Sequence, residues 1–241
     1  MKLTTKILGL AATGITLAAG LSACTPAPTA LGATIPMAKT VVAIGDSWTD
    51  LDGAPAGSTT RWAKQLQANL RQCDPNARVL NYGYSGYTAA QLRAMTNWEQ
   101  AIREEQPEVV SVELGINDYR KGRTPAQLKA DLDNIVGRVL AAAPKTRVKV
   151  WLTPQTQKLK ITPKAKWSAY RQAMRDVVDK YDPRPGVDVK TFSATAVLPD
   201  LTSTKTTAAL RAVWAVDLIH PDRNGHIKLG NLITTRMGTC E

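Results

Sequence analysis

The chain is poor in the residues that most often announce cofactor chemistry. Among its 241 residues there are two histidines and three cysteines, which makes a zinc site of the usual ligand count hard to build. No Walker-type phosphate loop is present, so a nucleotide is not expected either. Aromatic residues make up only 5% of the chain, with a single Phe, and the core is expected to be largely aliphatic. Acidic residues are scarce too, at 20 Asp+Glu against 31 Lys+Arg, for a formal net charge of +11. That excess suits acidic surroundings but names no partner and says nothing about fold. The 44% hydrophobic and 21% charged content excludes both a disordered tail and a polytopic membrane protein. The length is near the upper size of one α/β domain and is enough to bury a sizeable core.

The first 24 residues do not belong to the fold. Lys2 and Lys6 form a basic start, and Ile7 to Leu21 is an uncharged run rich in Ala, Gly and Leu. This is the pattern of an export signal, too short for a convincing stable membrane span. Leu21-Ser22-Ala23-Cys24 resembles a bacterial lipobox. The resemblance implies cleavage before Cys24, a diacylglycerol on that residue, and a lipid-anchored or cell-envelope location. The alternative is an ordinary secretory signal in which Cys24 is incidental. Residues 25–38 contain three prolines and read as a flexible tether. The expected organisation is a signal peptide over 1–23, a tether over 24–38 and one domain over 39–241. With Cys24 used as the anchor, Cys73 and Cys240 remain as a pair in an oxidising setting, and a disulfide is favoured over two unpaired thiols.

From Thr40 onward, short β-rich apolar runs alternate with helical patterns. The strands are expected at Thr40–Gly45, Arg78–Gly83, Glu108–Gly115, Arg147–Thr153 and Val187–Phe192. Helices are expected at Thr59–Arg71, Thr88–Gln106, Pro125–Ala142, Pro163–Tyr181 and from about Arg223 to Met237. Strands rich in Val, Ile and Leu suit a sheet covered on both faces. The alternation implies right-handed βαβ units, hence an α/β class: a three-layer α/β/α, flavodoxin-like, mostly parallel five-stranded sheet. Ligands of such sheets bind beyond the carboxyl ends of the strands, which makes the residues following each strand the ones to inspect.

Those residues form a chemical set. Gly45-Asp46-Ser47 follows the first strand, Asn81-Tyr82-Gly83-Tyr84-Ser85-Gly86 spans the end of the second, and Gly115-Ile116-Asn117-Asp118 follows the third. Asp217-Leu218-Ile219-His220-Pro221 precedes the last helix. Each piece is weak alone, but the ordered set is hard to obtain by accident. It resembles the four blocks of the GDSL, or SGNH, family of serine hydrolases, from about residue 40 to 237. The resemblance implies the fold just described, with Ser47 as nucleophile and Asp217 and His220 as acid and base. The oxyanion donors would be the N–H groups of Ser47 and Gly86 and the amide of Asn117. Gly83 competes with Gly86, and the family's Asn-x-x-x-Ser-Gly run favours Gly86.

Elementary chemistry points the same way. A serine hydroxyl needs an adjacent base to take its proton, and imidazole suits that exchange near neutral pH. A carboxylate three residues earlier can turn back to fix the imidazole tautomer. Other nearby residues carry blander expectations. His226 caps or packs the last helix; Asp46 supports the turn that presents Ser47; Asp118 organises its own loop. Ser85 lacks a separate base, and Trp48 lines either a pocket or the core. Arg120, Lys121, Arg123, Lys158, Lys160, Lys164 and Lys166 fall on the catalytic edge. They read as solvated faces, with attraction to anionic headgroups or an acidic wall polymer as the functional alternative.

The expected protein is an exported, lipid-anchored serine esterase that cleaves carboxylic esters of small molecules, lipids or glycans through an acyl-enzyme. It needs no metal or organic cofactor and has no nucleic-acid partner. The alternatives are an acyltransferase or deacetylase acting on envelope glycans or lipids, and a catalytically silent surface binding module. Oligomeric state is left open.

Overall fold

The computed structural model describes residues 36–50, 61–156, 165–201, 212–215 and 217–238. The signal segment with Cys24, most of the tether, Lys158, Lys160, Lys164 and Cys240 lie outside the described residues.

Five strands form one sheet in the order β2-β1-β3-β4-β5, every neighbouring pair parallel. They are β1 Thr40–Gly45, β2 Arg78–Gly83, β3 Val109–Glu113, β4 Arg147–Leu152 and β5 Asp188–Ser193. The central strands β1, β3 and β4 are buried almost throughout, whereas β2 and β5 at the edges are partly exposed. A strand covered on both faces is largely apolar, and the Val/Ile/Leu runs fit that, with Ser111, Glu113 and Lys149 as buried polar exceptions. One layer of helices is α1 (Trp62–Leu70) with α7 (Arg223–Thr234), which pack on each other. Trp62 of α1 meets Trp151 of β4 at 4.9 Å between ring centroids, and Trp151 meets Phe192 of β5 at 4.6 Å. On the other side, α5 (Pro125–Ala142) packs against α3 (Asn97–Glu105) and α6 (Trp167–Tyr181).

The strands agree with expectation to within one or two residues at either end, but several helical features do not, among them the start of α6 at Trp167 and a 3-10 turn at Ala194–Ala196. The expected helix over Thr88–Gln106 is broken into α2 (Ala89–Arg93) and α3. The break is satisfied from elsewhere in the fold: Arg138 of α5 donates to the carbonyls of Arg93 and Met95, and Trp98 Nε1 donates to Leu92 O. The single turn α4 (Ile116–Arg120) was not expected at all. It starts at Gly115, which has φ of +117°, and a Cβ there would come within 2.5 Å of Met174 Cε. The left-handed backbone is what favours glycine at this turn. α7 ends at Thr234, before Met237. Ala38, expected in the tether, is buried and its N–H donates to Met237 O at 3.2 Å. Packed chain therefore starts ahead of residue 39.

Candidate active site

Parallel strands that all point the same way deliver their following loops to one edge of the sheet. Ser47 sits in the turn after β1, the Ser85–Gly86 turn follows β2, and Asn117 lies in α4 after β3. The Asp217–His220 loop precedes α7 and reaches the same edge. His220 Nε2 lies 2.8 Å from Ser47 Oγ, and His220 Nδ1 lies 2.5 Å from Asp217 Oδ2. Asp217 Oδ1 accepts from the backbone N–H groups of Ile219 at 2.9 Å and His220 at 3.0 Å. This loop contains Leu218 at φ of +54°, a left-handed non-glycine residue that turns the carboxylate back onto the ring. Local strain of this sort costs of order 1–3 kcal/mol and persists where surrounding contacts impose it. Here the Ala215 carbonyl accepts from Leu218 N, and Ala215 N donates to the His220 carbonyl.

Electrostatics follow the geometry. Burial raises the Asp217 carboxyl, but the hydrogen bonds from the His220 ring and from the His220 and Ile219 N–H groups outweigh it and hold it at about 2. Asp217 is therefore ionised wherever the protein is folded near neutral pH, as a group that fixes a tautomer must be. His226, the other histidine, is fully buried, with Nε2 3.0 Å from Arg61 Nη1. Burial first, then the charges of Arg61 and His220, push its pKa down to about 3. It is a packed neutral ring, as expected.

Three donors were expected for an oxyanion. The Ser47 and Gly86 N–H groups make no hydrogen bond among the described residues, whereas the Gly83 N–H is engaged by Asn81 Oδ1 at 2.9 Å. Gly86 has φ of +79° with open space where a Cβ would be. Asn117 Nδ2 is differently placed: it donates to Asp46 Oδ2 at 3.1 Å and to Tyr87 O at 3.0 Å. Both amide hydrogens are thus engaged at rest, and an oxyanion would compete with the Tyr87 carbonyl for one of them.

Several neighbours do more than the sequence suggested. Trp48 is fully buried, stacks edge-on to Trp214 at 5.6 Å and donates from Nε1 to Ile219 O at 3.0 Å. It ties the Ser47 turn to the His220 loop. Lys121 is no free cation, since its Nζ donates to Gly86 O at 2.6 Å. Arg123 pairs with Asp118 and Asp131, and Asp118 accepts from Ala89 N at 2.9 Å. This part of the basic cluster knits loops together. Ser85 N donates to Asp50 Oδ2 at 3.0 Å. Among the described residues, no group of three or more His, Cys, Asp or Glu side chains is arranged to hold a metal ion.

Known proteins share the family and the fold. Esterase TesA of Pseudomonas aeruginosa is 32% identical over 109 residues, which is 45% of this chain and 52% of that protein. The chain thus spans about half the length of the curated relative it matches. Axe2, an acetylxylan esterase from Geobacillus stearothermophilus, superposes with a TM-score of 0.64 at 21% identity, over 86% of this chain and 97% of that one. LAE5, an alpha/beta hydrolase enzyme from the metagenome of Lake Arreo, does so at 0.57 and 23% identity, over 84% and 96%. At such identities these two structures share the fold. The GDSL-like Lipase/Acylhydrolase family matches residues 43–227, which covers every block of the site, and the chain belongs to that family.

Proposed function

We propose that the protein is an exported, lipid-anchored serine esterase that hydrolyses carboxylic esters of small-molecule, lipid or glycan substrates through an acyl-enzyme on Ser47. The observation that carries the chemistry is the continuous relay from Ser47 Oγ through His220 to Asp217. His220 Nε2 takes the Ser47 proton as Oγ attacks the ester carbonyl, and the imidazolium that forms faces the Asp217 carboxylate. The same nitrogen returns the proton to the departing alkoxide. A water molecule, deprotonated by His220, then attacks the acyl-enzyme and releases the acid. The negative oxygen of each tetrahedral intermediate would lie against the Ser47 and Gly86 N–H groups, with Asn117 joining as Tyr87 yields its share of the amide. Export and anchoring rest on the basic start, the apolar run and the Leu21–Cys24 box.

The deciding experiment pairs two readouts: turnover of p-nitrophenyl acetate, butyrate and octanoate, and labelling of Ser47 by a fluorophosphonate. Turnover together with labelling that disappears in His220→Ala is expected. Labelling without hydrolysis of any ester would indicate an acyltransferase; neither would indicate a binding module.

We also propose a bridge between Cys73 and Cys240. Cys73 is disulfide-bonded, and the helix ahead of it packs on α7, where Asn69 Nδ2 donates to Asn231 and Thr234 at 3.0 and 2.9 Å. Gly238 and Cys73 line the same shallow cavity. A bridge closing so long a loop stabilises by about 5 kcal/mol on the chain-entropy view, less any strain. Cys73 follows α1 at the edge opposite Ser47, so reductant should lower the melting temperature and leave room-temperature esterase activity nearly intact. An unchanged melting temperature would count against the bridge.

A further inference from the structure

Beneath Ser47 two acids are buried side by side. Glu113 ends β3, Asp46 follows β1, and neither has any exposed surface. The strand register pairs Gly45 with Glu113, the Glu113 carboxyl lies against the backbone N–H of Asp46, and the Asp46 carboxyl is close enough to act on it. Glu113 Oε2 accepts from Thr49 Oγ1 at 3.2 Å and from Asp46 N at 3.4 Å, while its Oε1 receives no hydrogen bond. The charged group acting on Glu113 is Asp46, another acid. Asp46 is better served. Its Oδ1 accepts from Trp48 N at 3.1 Å and its Oδ2 from Asn117 Nδ2 at 3.1 Å, and His220 and Arg120 lie close enough to favour its charge.

Two carboxylates in contact within a dry interior cannot both stay ionised, and the proton settles on the one with fewer donors. We propose that Glu113 is a positioning residue: held as the neutral acid, it donates its proton to the Asp46 carboxylate, and that carboxylate holds the Asn117 amide and the Trp48 N–H in place around Ser47. Burial and the neighbouring Asp46 raise Glu113 well above the usual carboxylate range, as this arrangement requires. The inference rests on the reading of Asn117 as an oxyanion donor. Without the Glu113 donor, Asp46 loses a hydrogen bond that favours its ionised form. It then takes up a proton at higher pH and holds the Asn117 amide less firmly.

The test compares Glu113→Leu, which removes the donor at similar size, with Glu113→Gln, which restores a neutral donor. Both are assayed as full chains for kcat and KM on p-nitrophenyl butyrate from pH 5 to 9, with melting curves beside them. Glu113→Leu should lose about 10-fold or more in kcat at nearly unchanged KM, less than the ~10²–10³ of a missing oxyanion donor. Its acid limb should move to higher pH. Glu113→Gln should recover most of the rate and the original limb. Equal activity of the two variants, or a folded Glu113→Leu with the wild-type pH profile, overturns the inference. Should Glu113→Leu melt below assay temperature, Asp46→Asn takes its place: a lower kcat at constant KM is expected, and an unchanged kcat is the contrary result. Ser47→Ala is run alongside. Turnover surviving in Ser47→Ala would overturn the esterase reading itself, whereas an inactive Ser47→Ala confines any failure to Glu113.

Discussion

Ser47→Ala and His220→Ala should each lower kcat on the order of 10⁶-fold, and the double variant should lose little more, because the pair acts as one unit. Without Oγ there is no acyl-enzyme; without the imidazole the hydroxyl keeps its proton. Asp217→Asn should cost about 10⁴-fold for a more particular reason. The Ile219 and His220 N–H groups both point at Oδ1, so an asparagine must place its carbonyl there and turn its amide nitrogen toward His220 Nδ1. That nitrogen donates, Nδ1 must accept, and the ring proton is driven to Nε2, facing Ser47. The base is then in the wrong tautomer to take the Ser47 proton. Steady-state kinetics on a p-nitrophenyl ester, with circular dichroism showing an intact fold, check all three. An Asp217→Asn enzyme within 10-fold of wild type would mean the carboxylate is dispensable.

The second large effect is on stability and involves the other histidine. His226 titrates near 6.5 when unfolded and about 3 when folded. Between those values the unfolded chain binds a proton that the folded chain refuses, so this residue makes stability rise with pH across that window. At pH 5 the resulting loss relative to pH 7 is about 2 kcal/mol. Asp46 and Asp118 work in the opposite direction, because burial raises both to about 6 and the folded state binds their protons more readily as pH falls. The contribution of His226 is isolated by difference. His226→Gln keeps an acceptor for Arg61 but no longer titrates, so the stability gap between wild type and variant should shrink by about 2 kcal/mol from pH 7 to pH 5. Urea unfolding at the two pH values measures it; a gap independent of pH would show that His226 can accept a proton within the fold.

Much of the site was legible along the chain because its chemistry is local. Ser47 follows β1 directly, Asn117 follows β3 by a few residues, and Asp217 reaches His220 within a single turn. The parts that escaped are contacts between distant segments. Nothing around Thr96 announces that α2 and α3 separate, because the groups that satisfy the break include Arg138, far along the chain on α5. Trp48 could have lined a pocket or the core, and only the fold brings the Ile219 carbonyl to its indole. Along the chain Lys121 reads as one more solvated cation, and only the fold places the Gly86 carbonyl against it.

The sequence by itself determined the α/β class and the five strands, since hydrophobic periodicity is a property of neighbouring residues, and its short motifs carried the resemblance that implies the Ser-Gly-Asn-His set. The tertiary structure alone decided which strands lie at the edges. It also decided how the Asn117 amide is engaged and that Glu113 lies against Asp46. The physical reason is that burial and charge pairing act between groups the chain brings together only on folding. Two acids 67 residues apart carry no mutual signal until parallel strands place them side by side in the dry interior.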